Sequence, residues 1–409
     1  MPAGENGFPQ DQNFWQLTSI QSVSIGLAGI LLGQRLAQEI GHGRAITSII
    51  VGNLLLWLIG LSMVAMSAKK RTNFIQNITQ YLGQWGGVII GLVFLLAFLV
   101  WFALQLSSTV AELSKLAMQF NLGFHAMQSR IGAIIGIFIA LLSLGGIQWI
   151  KNISTYSFPF LIAYLLYTAF RFGIQGSPAD ETLGLPSLLG VTSVVGYNLG
   201  AMVNLPTFFR HARSYAHAML ALTLILLFFT ALELYSIWFV PINYSSDSLF
   251  DAIFFVCIII LIGAASNLIN IYFASACWEV IVPFTSKTAG YILIGLIGTM
   301  IFIGVQDANW IIFVEELFVG AVGCLGIALL ATFVIQLVTK AHRVRPWERV
   351  AGILCWGIGL VAVVLTQIHA QGASGLSLAF GVLTTLIAIL VFLFVEETGW
   401  AACMINRKV

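Results

Sequence analysis

Charge is what this sequence has least of. Lys, Arg, Asp and Glu make up 8% of the 409 residues, against roughly 25% in ordinary soluble proteins. Hydrophobic residues account for 59% of the chain, and the mean hydropathy is +0.97. A soluble fold of this size would lack the charged side chains needed to cover its surface. The composition therefore excludes a soluble protein and predicts a polytopic protein embedded in a lipid bilayer.

Several other chemistries lack the residues that they need. The net charge is only +2 and no long basic patch occurs, so we expect no nucleic-acid partner. The five cysteines include no CxxC pair, which argues against a disulfide framework or a metal cluster. Neither an HExxH nor a GxSxG motif is present, and no enzymatic activity or organic cofactor is expected. The first sixteen residues contain no Lys or Arg, so they do not resemble a secretory signal peptide.

Apolar windows of about twenty residues recur along the whole chain, with short connections between them. They predict twelve membrane-spanning helices and leave no room for a soluble domain. The predicted spans are 17–38, 45–68, 86–111, 131–150, 154–172, 187–205, 217–239, 249–275, 289–305, 310–339, 350–368 and 375–395.

The basic residues indicate how these spans are oriented. An even number of spans places both termini on one side, and the segments on that side contain thirteen of the eighteen Lys and Arg residues. Cytoplasmic segments of membrane proteins carry an excess of Lys and Arg. The sequence therefore predicts a multi-pass protein of the inner (plasma) membrane with cytoplasmic termini.

Two of the spans contain closely spaced glycines. The first has Gly26, Gly29 and Gly33, and the sixth has Gly190, Gly196 and Gly200, with Pro206 near its end. Because spans one and six begin two successive groups of five, we expect them to be broken helices at matching places in two inverted repeats. The alternative is that these glycines only allow close helix packing.

Short motifs along the chain resemble those of one transporter family. Residues 49–56 read IIVGNLLL and residues 101–105 read WFALQ, similar to Ile-Gly-Asn-Leu-Leu and Gly-Trp-Phe-Gly-x-Gln. Further matches are GGIQWIKNIS at 145–154, VVGYNLGA at 194–201 with PTFFRHAR at 206–213, and ASN at 265–267. In this order they resemble the nucleobase–cation symporter-1 family of purine, cytosine, allantoin and hydantoin permeases, and look closest to bacterial cytosine permeases.

The resemblance implies an all-α transporter fold of twelve transmembrane helices. It consists of a five-plus-five inverted repeat, with helices 1 and 6 broken, and two extra C-terminal helices. The corresponding division of the chain is a cytoplasmic tail at 1–16, a first repeat at 17–172, a second repeat at 173–339, the last two helices at 350–395 and a cytoplasmic tail at 396–409.

The resemblance also implies a secondary active symporter that imports a nucleobase-like heterocycle by alternating access, coupled to sodium or protons. Trp101 and Gln105 lie four residues apart and therefore on one face of span three. An indole stacks on a planar base and an amide reads its edge, so we expect this pair to bind the substrate. Further candidate substrate-binding residues are Gln34, Tyr197, Asn198, Asn267 and Asn270, and the sequence leaves open whether Tyr197 or Asn198 faces the substrate.

A sodium ion is the one inorganic cofactor that the resemblance implies. Sodium is held by carbonyl and hydroxyl oxygens, as a hard cation prefers. The family pattern points to the carbonyls of Ile30, Gly33 and Ile262 and to the Ser266 hydroxyl. Ala265 stands where the family has a second hydroxyl, which keeps proton coupling open as an alternative.

Few ionisable residues lie within the predicted spans. Glu233 and the pair Glu315 and Glu316 lie near the outer ends of their spans, where we expect water to reach them. The histidines, His211 among them, are expected to be solvated, and Arg210 is expected to anchor the inner end of span six. The alternative function is an amino-acid permease of the amino acid–polyamine–organocation superfamily, which would bind a carboxylate at broken-helix N-termini. The sequence does not indicate an oligomeric state.

Overall fold

A computed structural model describes residues 12–119, 127–172, 182–238, 249–304, 308–339, 346–370 and 374–397. The described chain is all-α, as predicted. Its twelve α-helices are α1 Phe14–Ile40, α2 His42–Lys70, α3 Phe74–Gln119, α4 Gln128–Leu142, α5 Gly146–Phe172, α6 Leu188–Phe209, α7 Tyr215–Trp238, α8 Leu249–Ile281, α9 Lys287–Gly304, α10 Ala308–Thr339, α11 Pro346–Ala370 and α12 Ser374–Glu397.

Most of these helices are long and apolar enough to cross a membrane. Nine such segments occur within the described residues, and one of them, Gln128–Phe170, includes both α4 and α5. The apolar part of α9 is shorter, Thr288–Gly304, and α1 is the remaining helix. The chain is therefore a multi-pass membrane protein, as its composition predicts.

The helix pairings follow the five-plus-five arrangement. In such a repeat α1 corresponds to α6 and α2 corresponds to α7. The packing of α1 against α7 therefore has an equivalent in the packing of α6 against α2, and both are present. α3 packs against α8 and α4 packs against α9, and each of these contacts joins two helices that correspond to each other in the repeat. α11 and α12 pack against each other and both contact α10. The predicted repeat with two additional C-terminal helices is thus visible in the packing.

The boundary between the fourth and fifth spans differs from the prediction. We expected the connection at 151–153, but α4 ends at Leu142, a 3-10 turn covers Ser143–Gly145, and α5 begins at Gly146. Gly146 has φ of +56°, a conformation that glycine adopts without a steric penalty. The sequence is apolar on both sides of this turn, so a hydropathy profile does not show where α4 ends and α5 begins.

The third helix begins before the apolar segment that was predicted for it. An N-terminal portion from Phe74 to Gly83 precedes the membrane-spanning portion, and Gly83 at φ +81° joins the two. Asn73 caps this portion. Its side-chain oxygen accepts a hydrogen bond from the backbone N–H of Gln76 at 2.7 Å, and the Gln76 side-chain oxygen accepts one from the backbone N–H of Asn73 at 2.9 Å. Such a reciprocal cap fixes where a helix starts.

The predicted interruptions of spans one and six are not seen. α1 and α6 are each a single helix, Phe14–Ile40 and Leu188–Phe209. The glycines instead allow close approach of neighbouring helices: a Cβ on Gly33 would lie 2.0 Å from the Glu233 carbonyl oxygen of α7. A Cβ on Gly196 would lie 2.4 Å from Leu378 of α12. Packing through small residues therefore accounts for Gly33 and Gly196, while Gly26 and Gly29 lie outside the residues whose surroundings the structure describes.

Segments that were predicted to share the cytoplasmic side do lie at one end of the helix bundle. The Gln12 amide donates to the His211 carbonyl at 3.1 Å, and the Arg213 amide donates to the Gln12 carbonyl at 2.9 Å. The Arg71 guanidinium donates to the carbonyls of Arg210 and Ala212 at 3.1 and 2.8 Å. The start of α1, the end of α2 and the α6–α7 connection are therefore tied together.

Two glycines of α11 provide a test of this packing. A Cβ on Gly359 would meet Thr385 Oγ1 at 1.8 Å and the Gly381 carbonyl oxygen at 2.9 Å, whereas a Cβ on Gly357 would meet nothing within 4 Å. Both substitutions to Ala gain about 1 kcal/mol of helix propensity. We expect Gly359→Ala to lower the melting temperature in detergent by several degrees and Gly357→Ala to leave it unchanged or raised. Equal melting temperatures for the two variants would contradict the α11–α12 contact.

Candidate functional site

One cavity of about 280 Å³ lies between α1, α3, α6, α8 and α10, and we call it the central cavity. Its lining side chains are aromatic, amide, hydroxyl and aliphatic, and none of those described carries a formal charge. The lining residues that matter here are Ser24, Trp101, Gln105, Tyr197, Gly200, Ile262, Ser266 and Asn270. Six of the residues selected from the sequence therefore meet in one place: Trp101, Gln105, Tyr197, Asn270, Ile262 and Ser266.

Trp101 forms an aromatic wall of the central cavity. Its ring packs against Phe98 with centroids 5.6 Å apart and an interplanar angle of 63°. It also approaches α6 at Gly200, where a Cβ would lie 3.1 Å from the indole Cη2. A larger residue at position 200 would push the indole away, so the indole and Gly200 together shape this wall. Trp101 and Gln105, which the sequence placed on one face of span three, both line the cavity.

Amide side chains connect three helices beside this indole. Asn270 Nδ2 of α8 donates to Gln105 Oε1 of α3 at 2.8 Å, and Gln105 Nε2 lies 3.4 Å from the Ser24 carbonyl of α1. Asn270 Nδ2 is also 3.4 Å from Asn267 Oδ1. An amide in an apolar bundle is costly unless it is hydrogen-bonded, so these bonds hold the amide groups in place at the cavity wall.

Asn267 supports this wall but does not reach the cavity. Its side chain is fully buried and is absent from the cavity lining. It contacts Asn270, one helical turn away, and not the cavity. The sequence does not separate these roles because both residues lie on one side of α8.

Gln34 also lies away from the central cavity. Gln34 is not among the residues that line the cavity, and Ser24, the lining residue of α1 among those whose side chains are described, lies ten positions before it. At 1.5 Å per residue this is about 15 Å along the helix axis. The prediction for Gln34 depended on a break in span one, and the continuous helix carries this residue past the cavity.

The rotation of α6 about its axis determines which of Tyr197 and Asn198 faces the central cavity. Tyr197 lines the central cavity. Asn198 is fully buried on the other side and donates from Nδ2 to Glu233 Oε1 at 2.6 Å. Consecutive residues of a helix point about 100° apart, and here Tyr197 faces the cavity while Asn198 faces α7.

The oxygens predicted to bind sodium are only partly brought together. Ser266 Oγ lines the cavity and donates to the Val23 carbonyl of α1 at 2.8 Å, and Ile262 is one turn away on α8. Gly33 is ten residues beyond Val23 and packs against α7, so it does not share a site with Ser266. Ile30 lies outside the residues whose side chains the structure describes. The α1 oxygen beside Ser266 is that of Val23, which the sequence comparison did not select.

Glu233 is placed differently from the prediction. We expected water to reach it, but it is 1% exposed and both of its carboxylate oxygens accept amide hydrogen bonds. The donors are Asn53 Nδ2 of α2 at 2.7 Å and Asn198 Nδ2 of α6 at 2.6 Å. The sequence gives no signal for this burial, because α7 is apolar all round and such a helix can face either lipid or protein. The side chains of Glu315 and Glu316 lie outside the described residues.

The end of α6 carries a second buried polar group. His211 was expected to be solvated but is 3% exposed, with Nε2 3.2 Å from Arg210 Nε. Arg210 also donates to the Tyr272 hydroxyl of α8 at 3.3 Å, and Tyr272 stacks on Phe208. Arg210 thus lies where we expected, at the end of α6, and it links that end to α8.

The whole fold is similar to solved structures of transporters. Mhp1, a nucleobase-cation-symport-1 family transporter in a closed conformation with bromovinylhydantoin bound, matches with a TM-score of 0.72 and 15% identity over 97% of this chain and 96% of that one. A Na⁺-coupled sialic acid symporter in a substrate-bound outward-open state matches with a TM-score of 0.65 and 11% identity over 92% and 88%. A manganese transporter mutant from Eremococcus coleocola matches with a TM-score of 0.57 and 12% identity over 93% and 95%.

No protein-family model and no curated protein matches this sequence. At identities of 11–15% the likeness to the solved structures concerns the fold. It agrees with the resemblance that the ordered motifs indicate. The chain therefore has the LeuT-type transporter fold and resembles, in structure as well as in its motifs, a transporter of the nucleobase–cation symport-1 family.

Proposed function

We propose that this chain is a secondary active transporter that imports a nucleobase or a related small nitrogenous heterocycle through the central cavity. The observation that supports this most is the combination of an indole, Trp101, with the hydrogen-bonded amides of Gln105 and Asn270 in one uncharged cavity. A planar heterocycle needs an aromatic face to stack on and amides to bind its ring nitrogens and carbonyls. Cytosine, purines and hydantoins all present these groups.

The size of the cavity supports a small ligand. Pockets for small molecules have volumes of roughly 300–1,000 Å³, and the central cavity, at about 280 Å³, is close to the lower limit. A one- or two-ring base suits this volume better than a nucleoside with its added sugar. Two of the similar transporters carry sialic acid and manganese, which differ strongly from each other, so the fold alone does not select the substrate.

The alternative of an amino-acid permease receives less support. A zwitterionic ligand needs groups that compensate its carboxylate, which in this fold are the ends of broken helices. α1 and α6 are continuous in the described structure, and the described lining contains no Lys, Arg or His. The cavity therefore suits a neutral ligand.

For the coupling ion we propose a sodium site beside the central cavity. It consists of the carbonyls of Val23 and Ile262 and the Ser266 hydroxyl, without Gly33. Ser266 Oγ and the Val23 carbonyl already lie 2.8 Å apart, at the junction of α1 and α8. Both are hard oxygen ligands, and a Na⁺-coupled symporter is among the similar structures. Proton coupling is the other possibility.

We also propose that the end of the bundle containing Gln12, Arg71 and Arg210 faces the cytoplasm. These segments belong to the set that contains thirteen of the eighteen basic residues. The excess of Lys and Arg on cytoplasmic connections supports this orientation in a bacterial inner membrane or another plasma membrane.

Trp101→Ala tests the substrate site. Losing a stacked aromatic ring removes about 0.5–1.5 kcal/mol beyond the burial of its area, and 1.4 kcal/mol corresponds to a tenfold change in affinity. We expect the affinity for the bound base to fall at least tenfold. Binding of radiolabelled cytosine, adenine and hydantoin to the purified protein measures this without relying on the fluorescence of Trp101 itself.

Trp85→Ala is the matched control, because Trp85 lies on the same helix and is 79% exposed on the outer surface of the bundle. We expect it to bind the base with unchanged affinity. If Trp101→Ala binds as tightly as Trp85→Ala, the indole is not part of the substrate site. Binding of amino acids in place of bases would favour the permease alternative.

Ser266→Ala tests the proposed sodium site. At constant pH we expect the unmodified protein to bind the base at least about tenfold more tightly in sodium than in choline buffer, because a coupled ion lowers the free energy of the bound state by about 1–3 kcal/mol. Ser266→Ala removes one ligand and should abolish most of this difference. Equal affinities in the two buffers before the substitution would contradict sodium coupling at Ser266.

A further inference from the structure

A buried carboxyl group lies behind the central cavity, at the junction of four helices. Glu233 of α7 bonds Asn53 of α2 and Asn198 of α6, and Gly33 of α1 packs on the Glu233 backbone carbonyl. We call Asn53, Asn198 and Glu233 the amide–carboxyl cluster. It shares no residue with the proposed sodium site.

The charged form of this carboxyl has hydrogen-bond donors but no basic partner. Glu233 is 1% exposed, and both of its oxygens accept from uncharged amides at 2.6 and 2.7 Å. Among the described residues no Lys, Arg or His forms an ion pair with it. Burying a carboxylate without a counter-charge costs more free energy than burying a hydrogen-bonded neutral acid. An intramembrane acid of this kind is a candidate proton site.

The other titratable groups on the surrounding helices do not compensate this charge. α6 contains only Tyr197, which faces the cavity, and Tyr235 of α7 bonds Thr168 of α5. Arg35 and Glu39 of α1 are partly exposed and pair with each other at 2.7 Å. The remaining groups are near helix ends: His42, Arg44, Lys69 and Lys70 on α2, and Tyr215 and His217 on α7.

The two asparagines can accommodate either protonation state. In the charged state both donate to the carboxylate, and this leaves Asn53 Oδ1 and Asn198 Oδ1 buried without a hydrogen-bond partner among the described residues. When a proton from water converts one carboxylate oxygen into a hydroxyl, that hydroxyl needs an acceptor. A half-turn of either amide presents Oδ1 to it, so an otherwise unpaired oxygen becomes the acceptor.

The cluster is also connected to the substrate site through α6. Asn198 follows Tyr197, which lines the central cavity, so movement of this part of α6 changes both. If α6 moves away from α7, Glu233 loses one of two donors and its charged form is less well compensated. Proton binding and the position of α6 are then coupled, and the coupling acts equally in both directions.

We infer that Glu233 binds and releases one proton in each transport cycle, and that Asn198 links this step to the substrate. The inference rests on the proposed transport function and assigns a proton to it, independently of sodium. The carboxylate takes the proton from water, with the carboxyl O–H as the new bond, and returns it to water on deprotonation. Glu233 is five residues from the end of α7, about 7.5 Å along the helix axis.

Infrared difference spectroscopy of the full-length protein in lipid nanodiscs tests the proton site directly. A protonated carboxylic acid has a carbonyl stretching band separate from the amide bands. We expect this band to appear as the pH is lowered, to be absent in Glu233→Gln, and to remain in Glu112→Gln. Glu112 is the matched control because it is a partly exposed acid paired with Lys115 at 2.5 Å on another helix.

Glu233→Asp keeps a carboxyl group and provides an assignment if Glu233→Gln does not fold. We expect its acid band to persist at a shifted frequency. A titrating band whose intensity and frequency are the same in Glu233→Gln or Glu233→Asp as in the unmodified protein would overturn the inference. So would the absence of any titrating acid band in the unmodified protein.

Ligand binding tests the link through Asn198. One linked proton changes the apparent affinity for cytosine or hydantoin by up to about tenfold per pH unit. We expect this dependence in the unmodified protein and in Glu112→Gln, and less than about twofold per pH unit in Glu233→Gln. In Asn198→Ala the acid band should still titrate, but adding ligand should no longer change it.

The outcomes separate this inference from the proposed function. If bases bind with an affinity that does not depend on pH, the substrate site stands and the inferred coupling of Glu233 to the substrate is wrong. If the acid band titrates and is lost in Glu233→Gln while no base binds, the proton site stands and the proposed substrate class is wrong.

Discussion

The interior of a bilayer offers no hydrogen-bonding solvent, and the polar architecture of this protein follows from that constraint. Every backbone group within the membrane must find its partner in the protein, which favours long helices. The same holds for side chains. The amides of Gln105 and Asn270, and those of Asn53 and Asn198, are each held by a partner on another helix. Buried polar side chains in this protein therefore hold neighbouring helices together, and some of them also line the central cavity.

Two polar clusters lie on different faces of α6. On one face Tyr197 meets the central cavity, where Trp101, Gln105 and Asn270 form an uncharged site. On another face Asn198 meets Glu233, a carboxyl group enclosed by amides. Neighbouring residues of one helix thus contact the proposed substrate site and the carboxyl group that we propose as a proton site. An inward or outward movement of α6 would alter both at once, as coupled transport requires.

Glycine has a simpler role than its spacing suggested. The glycines of α1 and α6 indicated broken helices, yet both helices are continuous, and Gly33, Gly196 and Gly200 lie where another helix comes close. Gly200 allows the indole of Trp101 to approach α6, and Gly33 allows α1 to lie on α7 beside Glu233. A glycine that permits unwinding and one that permits close packing look the same in a sequence. Only the neighbouring atoms distinguish them.

The sequence by itself determined that this is a membrane protein of twelve helices, because hydropathy and charge record the contrast between lipid and water at each position. It also determined which side chains could bind a planar base, since Trp101 and Gln105 share a helix face whatever the partners are. The tertiary structure decided what lies opposite each helix: that Tyr197 rather than Asn198 enters the cavity, that Gln34 and Gly33 lie away from it, and that Glu233 is buried. These outcomes depend on how helices far apart in the chain are rotated and shifted against one another, and the periodicity of a single helix contains no information about that.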